Sequence, residues 1–295
     1  VGVARSQDYP TPDQLHSALQ DLATQNPDIL TLETLARSRE GRAITAVTLA
    51  LAGKTPPASR QAVLVVAGLE ASLLHTSFVA LAMLREVARR KGEPELRALL
   101  ESHVVYLVPQ VNPDGAARCF AKPRRESPLN PRPRDDDRDA RIDEDGPEGI
   151  DLDGEILQMR VPDPEGPLVV DGADPRLLRS HTPADAGSAR FRRIEEGADS
   201  DGDGLVNEDP PGGVDVARNF PHELEARAAG SGPHAASEPE SKALIDFLLA
   251  HPNIQAALTY GAHDNVIHPP PPRDGPPEKR GEHRLWKKDA ELHAA

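Results

Sequence analysis

The spacing of apolar residues near the start of the chain predicts one amphipathic helix followed by two strands. Four residues stand at i, i+3, i+4 and i+7 and so share one helix face: Leu15, Ala18, Leu19 and Leu22. The helix is predicted to begin at Thr11–Gln14, where a capping residue precedes a proline and a glutamine, and to end at Asn26-Pro27-Asp28. Two strands joined through Ser38–Arg42 are predicted to follow it.

Further apolar runs predict strands from the middle of a sheet. Ala62–Ala67 contains no polar residue, which suits a strand buried on both faces, and Gly68 then allows a sharp turn into a helix. Val104–Gly115 predicts a strand that delivers the loop Asn112-Pro113-Asp114-Gly115. A helix is predicted from Ser237 to Leu249, and a strand over Ile254–Tyr260. The order of these elements predicts an α/β fold.

About ninety residues before Val214 show little regular periodicity and contain one acidic pattern twice. Asp135–Pro147 reads DDDRDARIDEDGP, and Asp199–Pro211 reads DSDGDGLVNEDPP. Alternate carboxylates in a tight loop direct their oxygens to one point, as in calcium sites. The predicted calcium ligands are Asp135, Asp137, Asp139, Asp143 and Asp145 in the first copy, and Asp199, Asp201, Asp203, Asn207 and Asp209 in the second.

The second copy fits calcium better, because Gly204 at its sixth position permits the turn. Neither copy is an EF-hand, because the twelfth position holds Gly146 or Pro210 where an EF-hand has a glutamate. The alternative is a pair of solvated acidic loops. Repetition of the same spacing after 64 residues favours calcium.

Composition limits the partners and the compartment. The net charge is −14, from 48 acidic and 34 basic residues, which argues against nucleic acid as a partner. No apolar run reaches membrane-spanning length, no signal peptide is visible, and Cys119 is the only cysteine, so disulfides do not stabilise this chain. Calcium loops work best where calcium is millimolar, which favours an exported bacterial protein, extracellular or periplasmic. The oligomeric state cannot be inferred from the sequence.

Four stretches, in order along the chain, resemble the zinc carboxypeptidases. Tyr9–Leu51 is similar to that family's opening of helix, N-P-D, strand, S-x-E-G-R-x-I and strand, and Asn112–Gly115 is similar to its N-P-D-G loop. Val214–Pro221 (VDVARNFP) resembles D-x-N-R-N-F-P, and Ser237–Glu240 resembles the start of its S-E-P-E-T helix. The resemblance implies a single three-layer α/β/α domain over residues 1–295. It has a mixed, mostly parallel sheet and a long irregular acidic insertion at about 119–213.

The resemblance places the zinc ligands at positions that have changed. In the family, G-x-H-x-x-E supplies a His and a Glu, and the matching positions here hold Glu70 and Leu73. The third ligand, a later His, falls on Gly261 in one alignment and on Leu258 in another. Leucine and glycine side chains have no lone pair, so zinc is not expected to bind there.

A rearranged metal site is the alternative, with Glu70 and three further candidates: His75, His263 and Asp264. No late strand carrying the family's general-base Glu is predicted, so this base is either absent or lies beyond Ala295. Glu282 and Glu291 are interpreted as solvated surface, and the carboxyl-terminal part of the family fold is expected to be missing.

The resemblance also implies a substrate-binding role for several residues. Arg218 matches the arginine that binds the substrate's terminal carboxylate, while Ala217 replaces its asparagine partner. The other implied substrate-binding residues are Asn219, Arg124, Arg125 and Arg132. For the last three, the alternative is a salt bridge to the acidic loops.

Three functions therefore remain at this point. The first is a pseudoenzyme that binds a peptide terminus or a protein partner, or acts structurally. The second is an active metallocarboxypeptidase that cleaves C-terminal residues through Glu70, His263 and Asp264. The third is a structural module that depends on calcium.

Overall fold

The computed structural model describes residues 9–122, 127–133, 142, 156–199, 204, 206, 207, 212–222, 224, 228 and 230–262. The helices are α1 (Pro12–Gln25), α2 (Leu74–Arg90), α3 (Pro94–Ser102), α4 (Pro113–Arg118) and α5 (Pro239–Ala250). The strands are β1 (Leu30–Arg37), β2 (Ala43–Leu49), β3 (Ala62–Val66), β4 (Val104–Val108), β5 (Gln158–Pro162), β6 (Leu168–Val170), β7 (Leu178–Ser180), β8 (Phe191–Glu195) and β9 (Ile254–Thr259). Within these ranges, none of the helices is both long and apolar enough to cross a bilayer.

Five strands form the central sheet in the order β1-β2-β4-β3-β9. The pairs β1/β2 and β2/β4 are antiparallel, whereas β4/β3 and β3/β9 are parallel. The sheet is therefore mixed, and its parallel part is the half that contains β3, the run Ala62–Val66. Since β9 has no further neighbour among the described strands, it lies at the edge, and residues 255–259 are exposed.

Helices cover both faces of this sheet, which gives the predicted three layers. On one face, Leu15 and Leu19 of α1 pack with Leu81 and Leu84 of α2 and with Leu100 of α3. These side chains are all less than 4% exposed, and each contributes about 1.5–3 kcal/mol by its burial. On the other face, α5 packs Leu244 and Phe247 against β-strand residues such as Tyr106, whose ring meets that of Phe247 edge-on at 5.3 Å.

The first helix begins as its sequence predicts. The Thr11 hydroxyl accepts a hydrogen bond from the Gln14 amide (3.2 Å), and the Gln14 side chain accepts one from the Thr11 amide (2.9 Å). This capping box pairs two backbone groups that would otherwise lack partners at the helix start.

Replacing Thr11 by alanine is expected to lower the free energy of unfolding by about 1 kcal/mol, because the cap is lost. Urea unfolding followed by circular dichroism measures the change. Ser17→Ala, on the exposed side of the same helix, is the matched control and should cause no loss. An equal effect of the two substitutions would contradict a capping role.

The loop between β1 and β2 is held against the Asn112–Gly115 loop by a buried carboxylate. Asp114 is fully buried and accepts hydrogen bonds from the Ser38 hydroxyl (2.7 Å), the Glu40 amide (2.9 Å) and the Arg42 guanidinium (2.8 Å). Gly41 makes this tight loop possible, because its φ of +85° is unfavourable for other residues. The two sequence motifs therefore meet as one structural unit.

The insertion contains more regular structure than the sequence predicts. Strands β5 to β8 form a four-stranded antiparallel sheet in the order β5-β8-β6-β7. The sequence predicted an irregular insertion because apolar residues alternate only weakly in these strands. Nearly all side chains of these strands are exposed or half-buried, and Val169 is the buried exception. A sheet without a buried face leaves little periodic signal in its sequence.

Candidate functional site

The candidate site lies where the three parallel strands end. The carboxyl ends of β3, β4 and β9 meet at one edge of the sheet, where ligands commonly bind in open α/β sheets. Gly68 turns the chain there with φ +62°, and an added Cβ would stand only 2.9 Å from the Gln110 backbone. The Gly68 carbonyl accepts a hydrogen bond from the Asn112 amide (2.9 Å), which ties the turn to the neighbouring loop.

Two of the three predicted zinc-ligand positions come together at this edge. A Cβ on Gly261 would be 3.2 Å from Oε1 of Glu70, and the Ala262 amide donates to the same oxygen at 3.4 Å. Leu258, the other candidate for the third position, lies inside β9, paired with Val65. The geometry therefore favours Gly261 as the counterpart of the third ligand.

The remaining ligand position is Leu73, the residue before α2. Its backbone amide donates to the Glu70 carbonyl at 3.1 Å. His75, in the first turn of α2, is exposed. His263 and Asp264, the other two residues of the rearranged site, lie outside the described residues. The described part of the chain therefore tests only the Glu70 side of that alternative.

These residues do not fit a zinc site with three protein ligands. Of the three positions only Glu70 carries a donor atom, since leucine and glycine offer none. Across the described residues, no group of three or more His, Cys, Asp or Glu side chains is arranged to hold a metal ion. A catalytic zinc needs three such ligands to remain bound while it activates water.

Asp215 is a site residue that the sequence interpretation missed. Its carboxylate accepts a hydrogen bond from the Ala217 amide (3.0 Å) at the start of the short turn Val216–Arg218. Burial raises the pKa of Asp215 and the charge of Glu70 raises it further, while Arg218 acts in the opposite direction. Asp215 therefore lies within electrostatic range of both Glu70 and Arg218. The available signal was that this aspartate is the second residue of VDVARNFP and matches the first residue of D-x-N-R-N-F-P.

Arg218 and Asn219 are neighbours with opposite environments. Arg218 is exposed at the end of the turn. Asn219 is fully buried, its amide group donates to the Ser231 carbonyl (3.0 Å), and its oxygen accepts from the Ser241 hydroxyl (2.6 Å). The polar atoms of Asn219 are thus used inside the protein to fix the loop that carries Arg218, and contact of Asn219 with substrate stays a prediction.

Arg132 is also structural. It donates to Oε1 of Glu238 at 2.7 Å, and Arg39 donates to Oε2 of the same carboxylate at 3.0 Å. Glu238 is fully buried and occupies the N-cap position of α5, although its side chain makes no capping hydrogen bond. Burial alone would raise its pKa, but hydrogen bonds from Asn130, Ser237 and the two arginines outweigh burial and hold the pKa below its ordinary value. Neither expectation for Arg132, substrate binding or a salt bridge to the acidic loops, describes this contact.

Glu240 lies next to Glu238 and Asn130 but receives fewer hydrogen bonds than Glu238 does. It is fully buried, Oε2 accepts a single hydrogen bond from Asn130 (3.3 Å), and Oε1 has no hydrogen-bond partner. Burial raises the pKa of Glu240 to about 7, and the nearby charges of Glu238 and Asp114 act in the same direction. A buried carboxylate without a cation is costly, so this group favours its protonated form.

The predicted calcium loops are described only in part. Asp199 accepts a hydrogen bond from the Gly204 amide (3.0 Å), and Gly204 has the positive φ (+95°) that its place in the loop suggested. The Asn207 side chain donates to the Glu196 carbonyl at 2.6 Å. Calcium binding stays a prediction. Outside the described residues lie Asp135, Asp137, Asp139, Asp143, Asp145, Asp201, Asp203 and Asp209, together with Arg124, Arg125, Glu282 and Glu291.

The layers and the strand order define a carboxypeptidase-like α/β fold. A sequence model of the family described as zinc carboxypeptidase matches residues 15–155. This match covers just under half of the chain, so this part of the chain is similar to the zinc carboxypeptidases. The family is zinc-dependent, so the match does not support the expectation that zinc is absent, which depends on the residues at the ligand positions. A search of curated proteins gave no match.

Solved structures show the same fold at low sequence identity. Thrombin activatable fibrinolysis inhibitor (TAFI) aligns with a TM-score of 0.57 and 16% identity over 95% of this chain and 54% of its own. Carboxypeptidase A from Helicoverpa armigera aligns with a TM-score of 0.53 and 17% identity over 87% of this chain and 46% of its own. This chain therefore spans about half the length of these two structures, and the likeness shows the fold alone.

Proposed function

We propose that this chain is a carboxypeptidase-like domain that binds the carboxyl terminus of a peptide or protein and does not carry out zinc-dependent hydrolysis. The proposal depends on one observation. At the ends of β3 and β9, Leu73 and Gly261 occupy zinc-ligand positions but have no side-chain donor atom. A zinc-bound water cannot be activated where the protein supplies too few ligands.

Arg218 supports the binding part of the proposal. It is exposed, and its loop is anchored by the buried Asn219 beneath it. A guanidinium can hold a carboxylate through two parallel hydrogen bonds, and such charged bonds contribute about 1.5–3 kcal/mol each. Asp215 lies near Arg218 and is itself influenced by the charge of Glu70, so this edge also carries negative charge. A terminal carboxylate accompanied by a positive group therefore complements this edge best.

Binding is tested with two peptides that share a lysine before the last residue and differ only in a free or an amidated carboxyl terminus. Fluorescence anisotropy should show that the free acid binds at least about tenfold more tightly, in keeping with one charged hydrogen-bond pair. Arg218→Ala should abolish this difference. Arg85→Ala, which removes an exposed arginine from α2, is the matched control and should preserve it.

Zinc is tested on the same protein. Metal analysis after dialysis against zinc should find far less than one zinc per chain. A chelator should not change the rate at which the free-acid peptide is hydrolysed. One tightly bound zinc per chain together with chelator-sensitive hydrolysis would overturn the proposal. That result would favour the active enzyme with Glu70, His263 and Asp264. Equal affinity for both peptides would refute only the carboxylate-binding part of the proposal and would leave the part about zinc unaffected.

A further inference from the structure

The insertion sheet carries two arginines directly opposite each other. Arg160 of β5 pairs with Arg193 of β8, so both side chains project from the same face of the sheet. Like charges at such a position destabilise an antiparallel pair, since their Cβ atoms are only about 4.5–5.5 Å apart. Arginine cannot relieve this repulsion by losing its proton.

Neighbouring groups hold one of these guanidinium groups in place without neutralising it. Arg160 donates to the Pro175 carbonyl at 3.3 Å, and its guanidinium carbon lies 5.2 Å from the centre of the Phe191 ring. No ion pair among the described residues involves Arg160 or Arg193. Two other arginines of the insertion differ, because Arg176 pairs with Asp174 and Arg179 pairs with Asp185.

Both arginines border a cavity of about 390 Å³ between the sheet and the segment that leads into β7. Arg176 and the apolar side chain of Leu177, which is 58% exposed, also line it. None of the described residues around this cavity is acidic. Glu195 lies on the same sheet face, opposite Gln158, and is outside the lining. The cavity therefore combines positive charge with an apolar wall, in a chain whose net charge is −14.

We propose that this cavity binds a small phosphate monoester, with the phosphate between Arg160 and Arg193 and the organic group against Leu177. A phosphate monoester carries close to two negative charges at neutral pH and accepts several hydrogen bonds. It thus matches two guanidinium groups, each able to bind it through two donors. The strong negative charge of the whole chain opposes loose accumulation of anions, so binding requires this local arrangement.

Titration of the full chain with phenyl phosphate and with inorganic phosphate, followed by ³¹P NMR in calcium-free buffer at constant ionic strength, tests the proposal. Phenyl phosphate is expected to bind with a dissociation constant in the millimolar range or below, and more tightly than inorganic phosphate because of Leu177. Arg193→Gln should weaken it by at least about tenfold, since a charged hydrogen-bond pair is lost.

Arg192→Gln is the matched control, because Arg192 lies on the same strand but pairs with Val161 and faces the other side of the sheet. It should leave the affinity unchanged, and circular dichroism should show that both variants stay folded. Lack of binding at tens of millimolar, or equal losses in the two variants, would overturn the site. Equal affinity for the two ligands would overturn the assignment to a monoester.

Discussion

Replacing Asp114 by alanine is expected to lower the free energy of unfolding by about 3–5 kcal/mol, because three donors lose a fully buried acceptor and each unpaired donor costs about 1–3 kcal/mol. Asp114 has no exposed surface, and its carboxylate accepts hydrogen bonds from Ser38, Glu40 and Arg42. Alanine would leave all three donors without their acceptor and would separate the β1–β2 loop from the loop before α4. Urea unfolding followed by circular dichroism measures the effect.

Two further substitutions make this test specific. Asp114→Asn keeps one acceptor oxygen and should cause an intermediate loss. Asp246→Ala removes a carboxylate that pairs with Lys242 on the exposed side of α5, and such surface pairs contribute less than about 1 kcal/mol. A loss below about 1 kcal/mol for Asp114→Ala would show that the two loops are held together by other contacts.

The second large effect is expected from Glu240, as a dependence of stability on pH. The pKa of Glu240 rises from 4.5 to about 7 on folding, which corresponds to about 3 kcal/mol. For a carboxyl group with a raised pKa, the stabilisation is fully present below the unfolded value. It is lost as pH rises through the folded value. Stability should therefore fall between pH 4.5 and pH 7 because of this residue.

Glu240→Gln removes the titrating group, so the difference in unfolding free energy between pH 5 and pH 8 should shrink by about 3 kcal/mol. Comparing this difference between proteins cancels any constant cost of burying the amide. Glu33→Gln, at an exposed position on β1, is the control and should leave the pH dependence unchanged. Unaltered pH dependence in Glu240→Gln would mean that the buried carboxyl group keeps an ordinary pKa.

Much of the central fold was predictable because its signals are local. The capping box at Thr11 and the apolar run over β3 each act through neighbours in the sequence, and both elements form where they were expected. Two of the zinc-ligand positions, Glu70 and Leu73, could also be located, since they follow the turn after β3, whereas the third stayed open between Gly261 and Leu258. Leu73 and Gly261 show by their chemistry alone that donor atoms are missing there.

The sequence was least informative where a contact joins segments far apart in the chain. Arg132 was assigned by its place in a motif, but its partner Glu238 lies 106 residues later, and no local pattern indicates that pairing. Asn219 was judged by resemblance to a substrate-binding stretch, whereas its burial depends on the later loop that contains Ser231 and on the first turn of α5, which contains Ser241. Asp215 was overlooked because its significance comes from the nearby charge of Glu70.

The two ends of the insertion lie side by side where it leaves and rejoins the core, and this pair of ends is called the crossing below. Leu129 and Asp215 form an isolated antiparallel bridge, and the Asn130 amide donates to the Val214 carbonyl at 2.9 Å. Clamping both ends of a loop fixes most of its closure entropy, and each doubling of loop length then adds only about 0.6 kcal/mol. Relatives can therefore exchange, shorten or enlarge everything beyond this crossing at small thermodynamic cost, while the sheet and its strand-end edge stay as they are.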